Sequence, residues 1–129
     1  MGFDQYHEPP GELPAETRTF ARLCASLTEE AEAIGWYEQR LAIEPNAVAR
    51  AVMANAVGEE YKHFSMDLEF LLRQKPEWRA IARGILFQEG DIVAHGEAAE
   101  AAADDDDPTV DPRPSGADSL GIGDLRGTA

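Results

Sequence analysis

At 129 residues the chain has room for one small domain, and a formal charge of −14 sets it against polyanions, so nucleic acid is excluded as the expected partner. The single cysteine, Cys24, excludes an intrachain disulfide and points to a reducing compartment. No apolar stretch approaches the ~18 residues that span a membrane, and the opening MGFDQYHEPP lacks the basic and hydrophobic regions of a standard secretory signal.

The charge is shared evenly between two stretches of different character. Residues 1–96 hold 16 acids against 9 Lys and Arg, and residues 97–129 hold 9 acids against 2 Arg. Residues 1–13 read as an irregular lead-in. Pro14 suits a first helical position, and a first helix is expected from there to Ile43, interrupted by no Pro and only by Gly35. Glu44-Pro45-Asn46 is a break, with Pro45 or Asn46 opening a second helix that runs to about Lys75, before Pro76. A third, shorter helix is expected over Glu77–Phe87, before Gly90. No alternating apolar run predicts a strand, so the class is all-α: an antiparallel two-helix hairpin domain over 14–96, closed by a short C-terminal helix. From Glu97 the chain turns small, acidic and Pro-punctuated, so 97–117 is expected to be a disordered linker, followed by a distinct peptide at 118–129. A core region of roughly 80 residues in two long helices exposes too much surface to stand alone, and oligomerisation is expected.

Helical phase identifies the acids that face inward. At about 100° per residue, Phe20, Leu23, Cys24, Leu27, Ala31, Ile34, Tyr37 and Leu41 form an apolar arc of roughly 140° on the first helix. Glu30 lies within it. Glu29 and Glu32 lie about 100° and 160° away. On the second helix Val52, Met53, Ala56, Val57, Tyr61, Phe64, Leu68 and Leu71 share a broad face. Glu60 and His63 sit within that face one turn apart, while Glu59 lies near its edge and Lys62 and Glu69 point away. Buried carboxylates must be paired, protonated or metal-bound, because isolated desolvation costs several kcal/mol. No Lys or Arg falls squarely in either arc, so a cation from solution is the economical partner.

Glu60-x-x-His63 has the form of the carboxylate and imidazole unit of di-iron carboxylate bundles, whose complete site takes two such units and two lone glutamates. One chain supplies half: Glu30 as the lone glutamate and one Glu-x-x-His. Two copies packed as a four-helix bundle complete the set, and the half-sized core calls for the same homodimer. Mixed carboxylate and imidazole ligands suit iron and also accept Mn²⁺ or Zn²⁺, and the absence of cysteine ligands argues against structural zinc or an iron–sulfur centre. Tyr37, two turns after Glu30, could hydrogen-bond a ligand carboxylate or serve as a core aromatic.

At His7-Glu8-Pro9, Glu29-Glu30-x-Glu32, Trp36-Tyr37-Glu38-Gln39-Arg40, Glu59-Glu60-x-x-His63 and Leu86-Phe87-x-Glu89-Gly90 the chain resembles the encapsulated ferritins over about residues 7–96. That resemblance implies a ring-shaped pentamer of dimers and a di-iron ferroxidase centre between the two chains of each dimer, with ligands Glu30, Glu60 and His63. It also implies a cation access path at Glu29 and Glu32 with Trp36 beside it. Such proteins oxidise Fe²⁺ with O₂ and leave mineral storage to a surrounding shell. Asn55 stands where family members can carry a His and Lys62 where they can carry an acid, at a peripheral metal site; Glu38 stands where Asp is usual. The tail Asp118-Ser119-Leu120-Gly121-Ile122-Gly123-Asp124-Leu125-Arg126 resembles encapsulin cargo-loading peptides, with Leu120, Ile122 and Leu125 as its apolar anchors. The expected function is therefore a ferroxidase inside an encapsulin nanocompartment in bacterial or archaeal cytoplasm. Another di-metal carboxylate enzyme, such as a peroxidase or a manganese protein, or a non-enzymatic shell-cargo adaptor are the alternatives on the same residues.

Overall fold

A computed structural model describes residues 5–105. After a short 3₁₀ turn at Pro10–Glu12 come four helices: α1 (Ala15–Ile43), α2 (Ala47–Gln74), α3 (Pro76–Ile85) and α4 (Ile92–Asp105). There is no strand among the described residues. Pro14 stands one position outside α1, as its N-cap, and Ala15 opens the helix. The α1–α2 break is held by Asn46, whose Oδ1 accepts the Ala49 N–H at 2.9 Å and caps α2. Arg50 reaches back from the first turn of α2 to donate to the carbonyls of Leu41 and Glu44, which ties the start of one helix to the end of the other. α1 and α2 pack along their lengths as a hairpin.

Pro76 ends α2 because it supplies no N–H, and the same ring suits the first position of α3. The corner is fixed by Glu69, which accepts from Arg79 Nη1 at 3.1 Å and from Arg73 Nε at 3.2 Å. These two guanidinium groups hold the Glu69 carboxyl below its ordinary range. α3 and α4 form a second, smaller hairpin. Its turn contains Phe87 at φ 62° and Gly90 at φ 93°, and His95 Nε2 lies 2.7 Å from the Glu89 carbonyl oxygen. The helices meet closely at Gly84: a Cβ there would stand 2.6 Å from Ala99 Cβ, so only glycine admits this approach.

One expectation is corrected. The segment from Glu97 was expected to be linker, yet α4 carries helix through Asp105, and the domain boundary placed at residue 96 falls inside it. Two local causes explain this. Asp91 Oδ1 accepts the Ala94 N–H at 3.0 Å and starts the helix. Ala98, Ala99 and Ala101–Ala103, interleaved with Glu97 and Glu100, then rank among the strongest helix formers and fit the flat surface at Gly84. The remainder of that linker and the 118–129 peptide lie outside the described residues.

The core of a single chain is thin. Ala25, Val57, Leu71, Leu72 and Ala82 are its buried apolar residues, whereas Val52, Tyr61 and Met66 on α2 stand 65 %, 51 % and 59 % exposed. Val52 and Met66 fall within about 60° of His63 in helical phase, on its side away from the Leu68–Leu71 packing face. The hairpin thus leaves Val52 and Met66 uncovered on the His63 side of α2, with the exposed Glu59–Lys62 pair between them in the chain. No described helix is long and apolar enough to cross a membrane.

Candidate metal centre

Antiparallel packing of α1 on α2 brings Glu30, Glu60 and His63 together. Each offers a ligand atom, and these atoms all lie within 4.8 Å of one another. His63 Nδ1 is 3.9 Å from Glu30 Oε2 and 3.9 Å from Glu60 Oε2. Both carboxylates are 22 % exposed, while the imidazole is 43 % exposed and marks the open flank of the site.

The electrostatics are those of crowded acids. The Glu60 carboxyl, to which a protonated Glu30 can donate, pushes the Glu30 pKa up to about 7; desolvation and the charges of Glu60 and Asp67 add to this, and His63 opposes it. With both glutamates ionised, Glu60 Oε2 is buried without a hydrogen-bond partner. Protonating Glu30 gives that carboxyl a donor; a cation would neutralise it more completely. The donor set of two carboxylates and one imidazole fits a divalent first-row metal such as Fe²⁺.

The match to the EncFtn-like family model covers residues 5–89, most of the chain. The chain belongs to the EncFtn-like family. It is similar to the Encapsulated ferritin-like protein of Rhodospirillum rubrum, 38 % identical over 125 residues that span 95 % of this chain and 89 % of that one. It is also similar to the Ferritin-like protein of Thermotoga maritima, 40 % identical over 90 residues spanning 70 % of this chain and 79 % of that one. The crystal structure of protein ne0167 from Nitrosomonas europaea superposes with a TM-score of 0.67 at 36 % identity, covering 69 % of this chain and 98 % of that one. The EncFtn-like chain is therefore all-α and ferritin-like, as its sequence led one to expect.

Glu29 and Glu32 are exposed, outside the trio. Tyr37 is half-buried with the Arg40 guanidinium 5.3 Å above its ring, and among the described residues no hydrogen bond joins it to Glu30, Glu60 or His63. Trp36, 53 % exposed, lines a shallow hollow with Gln39 and Arg40. Lys62 pairs with Glu59, whose carboxyl it holds down, so that acid is engaged away from the trio. Leu120, Ile122 and Leu125 lie outside the described residues.

One acid was missed by sequence reasoning. Asp67 Oδ2 is buried without a hydrogen-bond partner, and desolvation pushes its carboxyl up while His63 pulls it down. Asp67 stands four residues after His63 and seven after Glu60, almost in phase with Glu60 on α2. Extending the phase test by two turns would have found it.

Proposed function

We propose that this EncFtn-like chain is a ferroxidase whose di-iron centre forms between two copies of the α1–α2 hairpin, and that it works as cargo of an encapsulin shell. The observation that carries the reading is the half-site itself. Glu30, Glu60 and His63 converge within 4.8 Å on a flank where His63 is half-exposed and where α2 also leaves Val52 and Met66 uncovered. A second copy docked there would double the ligand set to four glutamates and two histidines, the complement of a di-iron carboxylate bundle, and cover Val52 and Met66 at the same time. Fully burying a side chain such as Val52 or Met66 contributes about 1.5–3 kcal/mol.

Fe²⁺ is the substrate. Glu30 and Glu60 would bind it through carboxylate oxygen and His63 through Nδ1, with Glu30 giving up its proton as the cation arrives. The two Fe²⁺ of one centre lose one electron each, and O₂ gains both, taking two protons from solvent to give hydrogen peroxide. The chain's part is to hold charge and geometry and to leave coordination positions open to O₂. Glu29 and Glu32, exposed and acidic on the neighbouring faces of α1, would gather cations toward the centre. The relatives named above include an encapsulated ferritin-like protein, and the tail of this chain carries Leu120, Ile122 and Leu125 in a cargo-peptide pattern. On this reading ten chains form a ring of five dimers, and the shell stores the ferric product.

Anaerobic titration with Fe²⁺ followed by exposure to air tests the proposal. Wild-type protein should give a rapid rise of ferric absorbance, and Glu30→Ala, Glu60→Ala and His63→Ala should lose it while keeping their helical circular dichroism. Wild-type rates in all three variants would remove the site assignment.

A further inference from the structure

The centre contains one imbalance that its three ligands do not resolve. His63 directs Nδ1 toward Glu30 and Glu60, at 3.9 Å from each. An imidazole that ligates a metal through Nδ1 retains a proton on Nε2, and such histidines donate that proton to a fixed acceptor, commonly a carboxylate. Among the described residues, His63 has no hydrogen bond from either nitrogen. One turn further along α2, about 6 Å up the axis, Asp67 has the opposite deficiency: its Oδ2 is buried and meets no donor. Residues four apart on a helix are neighbours on one face; the Asp67 charge acts on Glu30, and the His63 imidazole acts on Asp67. Among the described residues the structure thus holds a candidate ligand histidine without an acceptor and, one turn on, a part-buried carboxylate whose buried oxygen has no donor; neither hydrogen bond nor ion pair joins the two in the metal-free chain.

Resting on the ferroxidase reading above, we infer that Asp67 is a positioning residue of the metal centre, accepting the Nε2 proton of His63 once Nδ1 is held by the metal. Asp67 lies outside the trio whose ligand atoms converge, so it acts through His63 rather than on the metal. Its carboxylate selects the tautomer with the proton on Nε2, fixes the ring plane, and raises the basicity of Nδ1. A carboxylate oxygen buried without a donor is left desolvated, and the imidazole proton would supply the missing donor.

The test uses the full-length chain, stripped of metal and titrated with Co²⁺ without oxygen, reading the visible ligand-field bands and the Kd. Asp67→Ala should weaken Co²⁺ binding by about 10- to 100-fold and change the band pattern. Asp67→Asn, which keeps an acceptor oxygen, should recover most of the affinity and the wild-type bands. A purely structural role would move thermal stability but leave both Co²⁺ readouts of the folded variant unchanged, and that result overturns the assignment. Should Asp67→Ala fail to fold, the wild-type chain loaded with Zn²⁺ decides: the His63 Nε2 proton should resonate downfield and exchange slowly, and a solvent-like signal overturns the inference. Failure of wild-type protein to bind Co²⁺ at all would remove the metal centre and Asp67's part in it. Tight wild-type binding that ignores Asp67→Ala would remove only the latter.

Discussion

Glu30 makes the empty centre sensitive to pH in a direction unusual for a carboxylate. Its ordinary value is 4.5 and it is pushed up to about 7, chiefly by the Glu60 carboxyl beside it. Between those values the folded metal-free chain holds a proton that the unfolded chain has released. Folding therefore binds protons in this window, and stability falls as pH rises from about 4.5 to about 7, then levels off. A displacement of this size corresponds to about 3 kcal/mol, an upper bound because the 22 % exposure of Glu30 lets solvent screen its neighbours. Glu30→Gln carries no titrating proton and keeps a donor for Glu60, so the slope should shrink in this variant and its stability advantage over wild type should grow toward neutral pH. Asp67, also raised, leaves a residual slope of the same sign. Urea unfolding of chelated wild type and Glu30→Gln at several values from about pH 5 to about pH 8 measures this. Parallel curves for the two proteins would refute the carboxyl–carboxyl explanation. Divalent metal should flatten the wild-type curve, since the cation takes the place of the proton.

Three further outcomes are expected. Glu29→Ala and Glu32→Ala should slow iron uptake in stopped-flow traces while leaving the centre able to form, whereas complete loss of metal binding would place the ligands on the wrong face of α1. Fe²⁺ or Co²⁺ should shift the protein toward larger assemblies in analytical ultracentrifugation, because filling the centre offsets the repulsion of four paired glutamates; a strict monomer with metal at micromolar concentration would contradict an interfacial site. Deleting residues 118–129 should leave iron oxidation in solution unchanged and abolish loading when the chain is co-expressed with its shell, counted by mass analysis of the purified shells.

The trio was legible because helical phase needs only residue spacing. Glu30 is set apart from Glu29 and Glu32 by 100° steps, and Glu60 and His63 share a face by being three apart. The exposures of Glu29 and Glu32 and the convergence of Glu30, Glu60 and His63 agree with that geometry. Asp67 lies beyond the Glu-x-x-His unit and belongs to no motif, although the same helical spacing places it one turn after His63. α4 escaped for a different reason. Acidic, low-complexity sequence was weighed as unable to pack, but an alanine-rich helix needs little packing of its own when a glycine on its neighbour lets the backbones approach, as Gly84 does for Ala99. The consequence is a contact between residues 15 apart in sequence that no single-segment composition encodes. The apolar exposure of Val52 and Met66 could not be read from one chain's periodicity either, since periodicity marks an apolar face without saying which copy covers it.

The arrangement of the two hairpins also decides how the chain would transmit a pull. The described chain ends on α4, which packs chiefly on α3, while Glu30, Glu60 and His63 belong to the α1–α2 pair. Tension applied at the C-terminal end would pass through the close Gly84–Ala99 contact into α3 and arrive at the Pro76 corner, where Arg79 grips Glu69. Strain would therefore enter α2 at the Arg79–Glu69 pair. A pull on the C-terminal end would thus be received by the second hairpin and this ion-paired corner before it reached Glu60 and His63.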